Sequence, residues 1–421
     1  MSLACDYRRF FQNGKKNIAN QARSYLSGLV MEAPRKNIER MEEFVEGCDY
    51  ESTQYFISES TWDHRIVLDE VARDTNKLFS DSETALILDE SGFQKKGKMS
   101  VGVARQYNGR LGKIDNCQVG VFAALSDGVH SGLIDARLYL PVEWTNDPAR
   151  CDKAKIPESE RIFRTKIELA EDMILRAKTM DLKFDWVCFD AFYGAAPALL
   201  KTTDQLGLIF IADVRSNQHV ECCEKPDRIK GQINKLFSAT AENEWENVRI
   251  EYLDGPKSIK AARQRVVLYE NDDGTIRTAW AVCIFDPEVN ERSYFLTNCA
   301  ADVPLRELVR RHTRRYWIER CFQDGKSSLG MADYQVRGWG AWHHHMAMVA
   351  LAQRFILEER KVHCKDISLL STCDVVAALT VLIPRKDTTI EEVLGIIQRR
   401  HKKRQAARNS ERKHRINRLL R

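Results

Sequence analysis

Along the first eighty residues apolar side chains recur at helical spacing, at Ile18, Tyr25, Leu26 and Leu29 and again at Ile38, Met41, Phe44 and Val45 beyond Pro34. That period predicts helices up to about Ser80, with Ser60 or Thr61 as N-cap of the helix WDHRIVLDEVARD. From Thr84 to Pro141 the pattern becomes β-like. TALILDE, DNCQVGVFAAL and HSGLIDARLYLP are rich in β-formers between Gly and Asp turns and predict three antiparallel strands. Between the first two lies SGFQKKGKMSVGVARQYNGRLGK, whose Lys95, Lys96, Lys98, Arg105, Arg110 and Lys113 in a Gly-rich setting predict a basic loop. Helical spacing returns from Arg161 to Met180 and feeds the strand DWVCFDAFYG, a helix in PALLKTTDQLG and the strand LIFIADV. NVRIEYL, RQRVVLYEN, TAWAVCIFD and SYFLTN are again strand-like, with NDDGTIR as a hairpin turn. A Gly-broken turn and a long apolar helix follow, then a helical segment from about Asp374 to Arg400 interrupted at Pro384.

Composition narrows the class. At 421 residues two or three domains with a sizeable core are expected. No run of eighteen apolar residues and no signal-like N-terminus are present, which predicts a cytoplasmic chain without a membrane span. The twelve cysteines are scattered without a C-x-x-C pair, as reduced thiols in a core would be. His343, His344 and His345 are consecutive, and helical neighbours diverge by about 100°, so they predict packing rather than a shared metal ion. The net charge of +5 hides an asymmetry: Arg399 to Arg421 holds eleven Lys and Arg against Glu411 alone. This tail reads as a polyanion-binding segment or a solubilising one.

Candidate chemistry lies in acids. Asp89 ends the apolar run TALILD and Asp190 ends DWVCFD, each at the C-terminal edge of a strand and able to project into a crevice. A third acid, Glu319, sits in RHTRRYWIERCFQDGK, from Arg311 to Lys326. If that stretch is helical, Arg315, Glu319 and Lys326 fall within roughly 40° of one another, with His312 beside them. A solvated, ion-paired helix reads the same way. Three converging carboxylates would repel unless cations lie among them. No phosphate-loop or dinucleotide glycine motif is present, and no Ser-His-Asp or Cys-His constellation stands out.

On these residues the chain resembles the DDE transposases of bacterial insertion sequences, in the branch whose third acid lies in a Y-(2)-R-(3)-E-(6)-K signature. Here the signature reads His312, Arg315, Glu319, Lys326, with every spacing kept and His in the place of Tyr. Tyr316 is a candidate to make the phosphate contact of the missing Tyr. The stretches GLVMEAPRKNIERM and YFISESTWD also look like the N-terminal region of one lineage of this branch.

The resemblance implies an α/β fold: an RNase H-like mixed sheet core flanked by helices, interrupted by a β-rich insertion, with an N-terminal helical domain. The expected boundaries are 1–80 for the helical, DNA-binding domain and 81–215 for the first part of the catalytic core. They continue with 216–300 for the insertion, 301–357 for the rest of the core with the Glu319 helix, and 358–421 for the C-terminal helices and basic tail. Asp89, Asp190 and Glu319 would bind two Mg2+ ions, or Mn2+, with Asp89 bridging. Arg315, Lys326, His312 and Tyr316 would contact DNA. The implied partners are double-stranded DNA, as inverted-repeat transposon ends and target, and a second copy of the chain in the DNA complex. The implied place is the bacterial nucleoid. An aromatic of the insertion, Trp245, Trp280, Tyr294 or Phe295, could hold a displaced base, although each also reads as a packing residue. A regulator that has lost turnover and a nuclease that cuts without joining are the rival functions.

Overall fold

Ala85–Gln94 (β1) is the strand on which the structure turns. A computed structural model describes residues 7–13, 16–223, 230–252, 255–387 and 389–419. The first four residues of β1 are all buried, and they alternate between two cores. Ala85 and Ile87 pack into one, Leu86 and Leu88 into the other. A strand covered on both faces has no reason to alternate apolar with polar, which is why TALILD reads as one apolar run.

After β1 come Ala104–Asn108 (β2), Lys113–Ser126 (β3), Ser131–Leu138 (β4), Trp186–Phe189 (β5) and Phe210–Val214 (β6). The stretch expected to be an insertion adds Glu246–Tyr252 (β7), Gly255–Glu270 (β8), Ile276–Asp286 (β9) and Glu291–Thr297 (β10). All ten form one sheet, ordered β7-β8-β9-β10-β6-β5-β1-β3-β2, with β4 also on β3. β1 runs antiparallel to β3 and parallel to β5, and β5 runs parallel to β6. This is the RNase H-like mixed sheet expected from the sequence. Strands β7 to β10 extend it, because β10 pairs antiparallel with the outer edge of β6 from Tyr294↔Val214 to Thr297↔Ile211.

The helices are Ala19–Val30 (α1), Ile38–Phe44 (α2), Tyr50–Ser58 (α3), His64–Leu78 (α4), Lys166–Thr179 (α5) and Pro197–Gln205 (α6). Leu305–His312 (α7), Tyr316–Ser328 (α8), Trp339–His363 (α9), Thr372–Leu382 (α10) and Ile390–Leu419 (α11) follow, besides three helices of four to six residues at Val142–Thr145, Pro148–Lys153 and Ile233–Ser238. Leu169, Met173 and Ile174 of α5 and Leu199 and Leu200 of α6 fill the core on one face of the sheet. On the other face α9 is buried along most of its length, and α1, α3 and α4 pack on it. Its three histidines each have a separate contact. His343 Nδ1 lies 2.9 Å from the Trp339 carbonyl, the His344 ring stacks on Trp62 at 4.0 Å, and His345 Nδ1 lies 2.7 Å from the Tyr25 hydroxyl.

Four local expectations need correction. The segment read as a basic loop contains β2, because alternate burial of Ala104 and Asn108 and a turn through Gly112, at φ +62°, let it fold back on Lys113–Cys117. The N-cap of α4 is Asp63, whose carboxylate accepts from the Arg65 N–H, rather than Ser60 or Thr61. The stretch around Glu319 is two helices, α7 and α8, joined by a 3-10 turn over Thr313–Arg315. The basic tail lies in α11, which starts beyond Pro384 and runs on to Leu419. The described cysteines are all free thiols.

Candidate active site

The register of β1 and β5 brings Asp89 and Asp190 together. Their last parallel pair is Leu88↔Phe189, so Asp89 and Asp190 come next, side by side at the carboxyl edge of the parallel pairing; Asp89 does not end its strand as its apolar run predicts, because β1 continues antiparallel to β3 as far as Gln94, whereas Asp190 follows the end of β5. Neighbouring strands are about 4.8 Å apart, and crevices at such edges are the usual ligand sites of parallel sheets. Asp190 is held by the turn that follows it: one carboxylate oxygen accepts from the N–H groups of Phe192 at 3.0 Å and Tyr193 at 3.1 Å. The Glu90 N–H donates to Asp89 Oδ1 at 2.6 Å.

That turn depends on Gly194. Its N–H donates to the Asp190 carbonyl at 2.7 Å, and a Cβ at this position would stand 2.1 Å from the backbone oxygen of Asp213. Strand backbone cannot give way as a flexible side chain could. Gly194→Ala is therefore expected to cost about 1–3 kcal/mol in urea unfolding and to displace Asp190. A variant with unchanged stability would show that the turn has slack.

Glu319 projects from α8, which packs against β1, β3 and β4. Asp89, Asp190 and Glu319 line one cleft of about 950 Å³, together with Lys326, Arg215 and the exposed ring of Phe192. Burial and the neighbouring Asp190 push the Asp89 carboxyl up to about 8, against the Glu90 N–H and Arg315, which favour its ionised form. Burial also raises Asp190, although the Tyr193 and Phe192 N–H groups and Arg315 pull the other way. Burial and mutual repulsion thus outweigh Arg315 at this pair.

Arg315, at the end of the 3-10 turn, donates from Nη1 to Glu319 Oε1 at 3.0 Å and from Nε to Asp213 Oδ2 at 2.7 Å. His312 Nε2 lies 2.6 Å from the other oxygen of Asp213. Lys326 Nζ donates to Ser91 Oγ at 2.7 Å, two residues beyond Asp89 on β1. Tyr316 is 42% exposed. The three acids therefore share a cleft without meeting at one point. Among the described residues, no three His, Cys, Asp or Glu side chains stand close enough together to hold one ion.

The donor set still suits a hard divalent cation, since it consists of carboxylate oxygens crowded at one strand edge and relieved by positive charge. Sequence reasoning missed Asp213, Arg215 and Gly194. Asp213 carried the signal used for the other two acids, an apolar strand, LIFIAD, running into a carboxylate. Of the four insertion aromatics, Tyr294 and Phe295 are buried in the two cores. Trp280 has Arg263 and Arg265 each 4.4 Å from its ring centre, and Trp245 packs edge-on against Phe237.

Residues 9–264 match the family model described as DDE superfamily endonuclease, a stretch that contains Asp89, Asp190 and Asp213 and ends before Glu319. A curated relative, the probable transposase for insertion sequence element IS701 of Microchaete diplosiphon, is 25% identical over 312 residues, covering 73% of this chain and 74% of the relative. Since the family model spans more than half of the chain, with Asp89 and Asp190 inside the match, the protein belongs to the DDE superfamily endonucleases.

Proposed function

We propose that Asp89, Asp190 and Glu319 form the metal-binding centre of a DNA transposase that cuts strands at transposon ends and joins the freed 3′-hydroxyl to target DNA. The enzyme is a DDE transposase of the insertion-sequence kind, and its substrate is DNA. The observation that carries the reading of the acids is the in-register pair Asp89 and Asp190, with Asp89 pushed up to about 8 by burial and by the like charge of Asp190. Glu319, half exposed and on the same cleft, would complete the ligand set by turning away from Arg315. Two Mg2+ ions, or Mn2+ in their place, fit three carboxylates. When bound they supply positive charge against the transferring phosphoryl group and acidify the attacking hydroxyl.

The chain's own part is to hold these oxygens and align DNA. Lys326 and the exposed Tyr316 flank the acids and would take the phosphates next to the cut. The helices of residues 1–80, the insertion of 216–300 and the basic α11 offer further contacts, and paired ends would require a second copy. No described helix is long and apolar enough to cross a membrane.

The test is incubation of the protein with labelled end DNA and a plasmid in Mg2+ or Mn2+. Joined product is the expected result. Nicks without joining would assign a nuclease, and end binding without cutting a regulator. Lys326→Ala is expected to weaken end binding several-fold and to lower the slope of log K against log salt by about one, as loss of one phosphate contact does. An unchanged slope in a filter-binding titration would remove Lys326 from the interface.

A further inference from the structure

Asp213 is the acid that no part of the reaction so far uses, yet more of the site is fastened to it than to any of the three proposed ligands. It lies on β6, next to β5, and its carboxylate accepts from Arg315 Nε at 2.7 Å and stands 2.6 Å from His312 Nε2. It is fixed from the sheet side as well. Its cross-strand partner on β10 is Phe295, and the His312 ring stacks on Phe295 at 4.7 Å and 16°. Burial alone would raise its carboxyl, and His312 and Arg315 more than offset that, holding it below the usual range. Arg315 therefore has two carboxylates. The one on Asp213 is enclosed, with the side chain 20% exposed, whereas Glu319 is 48% exposed and hangs from α8 at the cleft wall.

We propose that Asp213 is a positioning residue: it keeps Arg315 paired, so that Glu319 can release Arg315 and turn to a divalent cation. A guanidinium stripped of every counter-charge inside a protein is costly, and that cost would otherwise oppose the release. With Asp213 in place, the Arg315–Glu319 contact is a parking position and the Arg315–Asp213 contact is permanent. The proposal rests on the reading of Asp89, Asp190 and Glu319 as metal ligands.

The experiment titrates Mn2+ into the full chain without DNA and follows the free ion by electron paramagnetic resonance. Asp213→Asn removes the charge while keeping the shape, leaving Glu319 as the carboxylate hydrogen-bonded to Arg315. Mn2+ affinity is expected to fall about 10-fold, the lower end of what outer-shell ligand supports contribute. Adding Arg315→Gln to that variant frees Glu319 and is expected to restore affinity, a non-additivity that general damage to the fold would not give. In strand cleavage, Asp213→Asn should raise the Mg2+ needed for half-maximal rate and leave the rate at saturating Mg2+ within a few-fold. If Asp213→Asn does not fold, Arg315→Gln alone reads the same coupling, and it should bind Mn2+ at least as tightly as the unaltered chain.

Unchanged Mn2+ binding in Asp213→Asn, a double variant weaker than the single one, or a weakened Arg315→Gln would each overturn the proposal. Glu319→Gln and Asp190→Asn separate it from the reading beneath it. If both of these lose Mn2+ while Asp213→Asn does not, only the role of Asp213 fails. If neither loses Mn2+, the metal centre itself is misassigned.

Discussion

Asp190→Asn is expected to reduce strand cleavage on the order of a thousandfold or more, the scale of losing a group that stabilises transition-state charge, while binding of end DNA persists. The amide keeps one oxygen where Phe192 and Tyr193 donate, so the turn survives, and what disappears is the charge facing Asp89. Asp89→Asn should behave alike, with a further signature. Because Asp89 is buried against a like charge and raised to about 8, its negative charge opposes the cation-free fold. Removing it should leave the thermal midpoint unchanged or higher even as activity is lost. A gel assay with labelled ends and a melting curve on the same preparations read both quantities. Cleavage retained in Asp190→Asn would exclude Asp190 from the centre, and a large drop in melting temperature for Asp89→Asn would mean that the acid is there for structure.

Much of this arrangement was legible in the chain because burial writes itself into local pattern. A strand covered on both faces gives an unbroken apolar run, so β5, β6 and the first half of β1 are legible, and with them the places of Asp89 and Asp190 just beyond two such runs. What could not be read was decided by contacts remote in sequence. β2 exists because Lys113–Cys117 is there to pair with it, and its own residues show little beyond a Gly-rich, basic composition. The break over Thr313–Arg315 follows from where Arg315 and His312 must reach, namely Asp213 on a strand about a hundred residues earlier. Asp213 was passed over although its apolar run ended in the same way as the other two, since nothing local distinguishes an acid that binds a ligand from one that steadies an arginine. Asp63 was missed as a cap because Ser60 and Thr61 are equally good local candidates.

Acidification from pH 7 to pH 5 is expected to destabilise the fold by several kcal/mol, and the cause lies away from the cleft. Burial holds His343 and His345 neutral down to about 3, and it lowers His64 and His344 in the same sense. An unfolded histidine titrates near 6.5. Between about 3 and 6.5 the unfolded chain therefore binds more protons than the native one, so stability is complete above 6.5 and is lost as pH falls. At pH 5 the loss is about 2 kcal/mol for each of His343 and His345, with His64 and His344 adding to it. That is a large share of the 5–15 kcal/mol by which folded proteins are typically stable.

Two other sets of groups can be told apart from this effect. Asp127 and Asp135 are held low by their hydrogen bonds and ion pairs, so their stabilising contribution is lost only at lower pH, as it falls past the ordinary carboxylate range. Asp89 works in the opposite direction, because its raised value makes the native state the better proton binder below about 8. The Asp89→Asn protein should thus lose stability more steeply than the unaltered chain over the same interval. Urea midpoints at pH 7, 6 and 5 for the two proteins measure both slopes. Midpoints that stay level between pH 7 and 5 in the Asn variant would mean that the histidines of α9 open to water without unfolding, and that α9 is not the rigid back of the sheet that its burial describes.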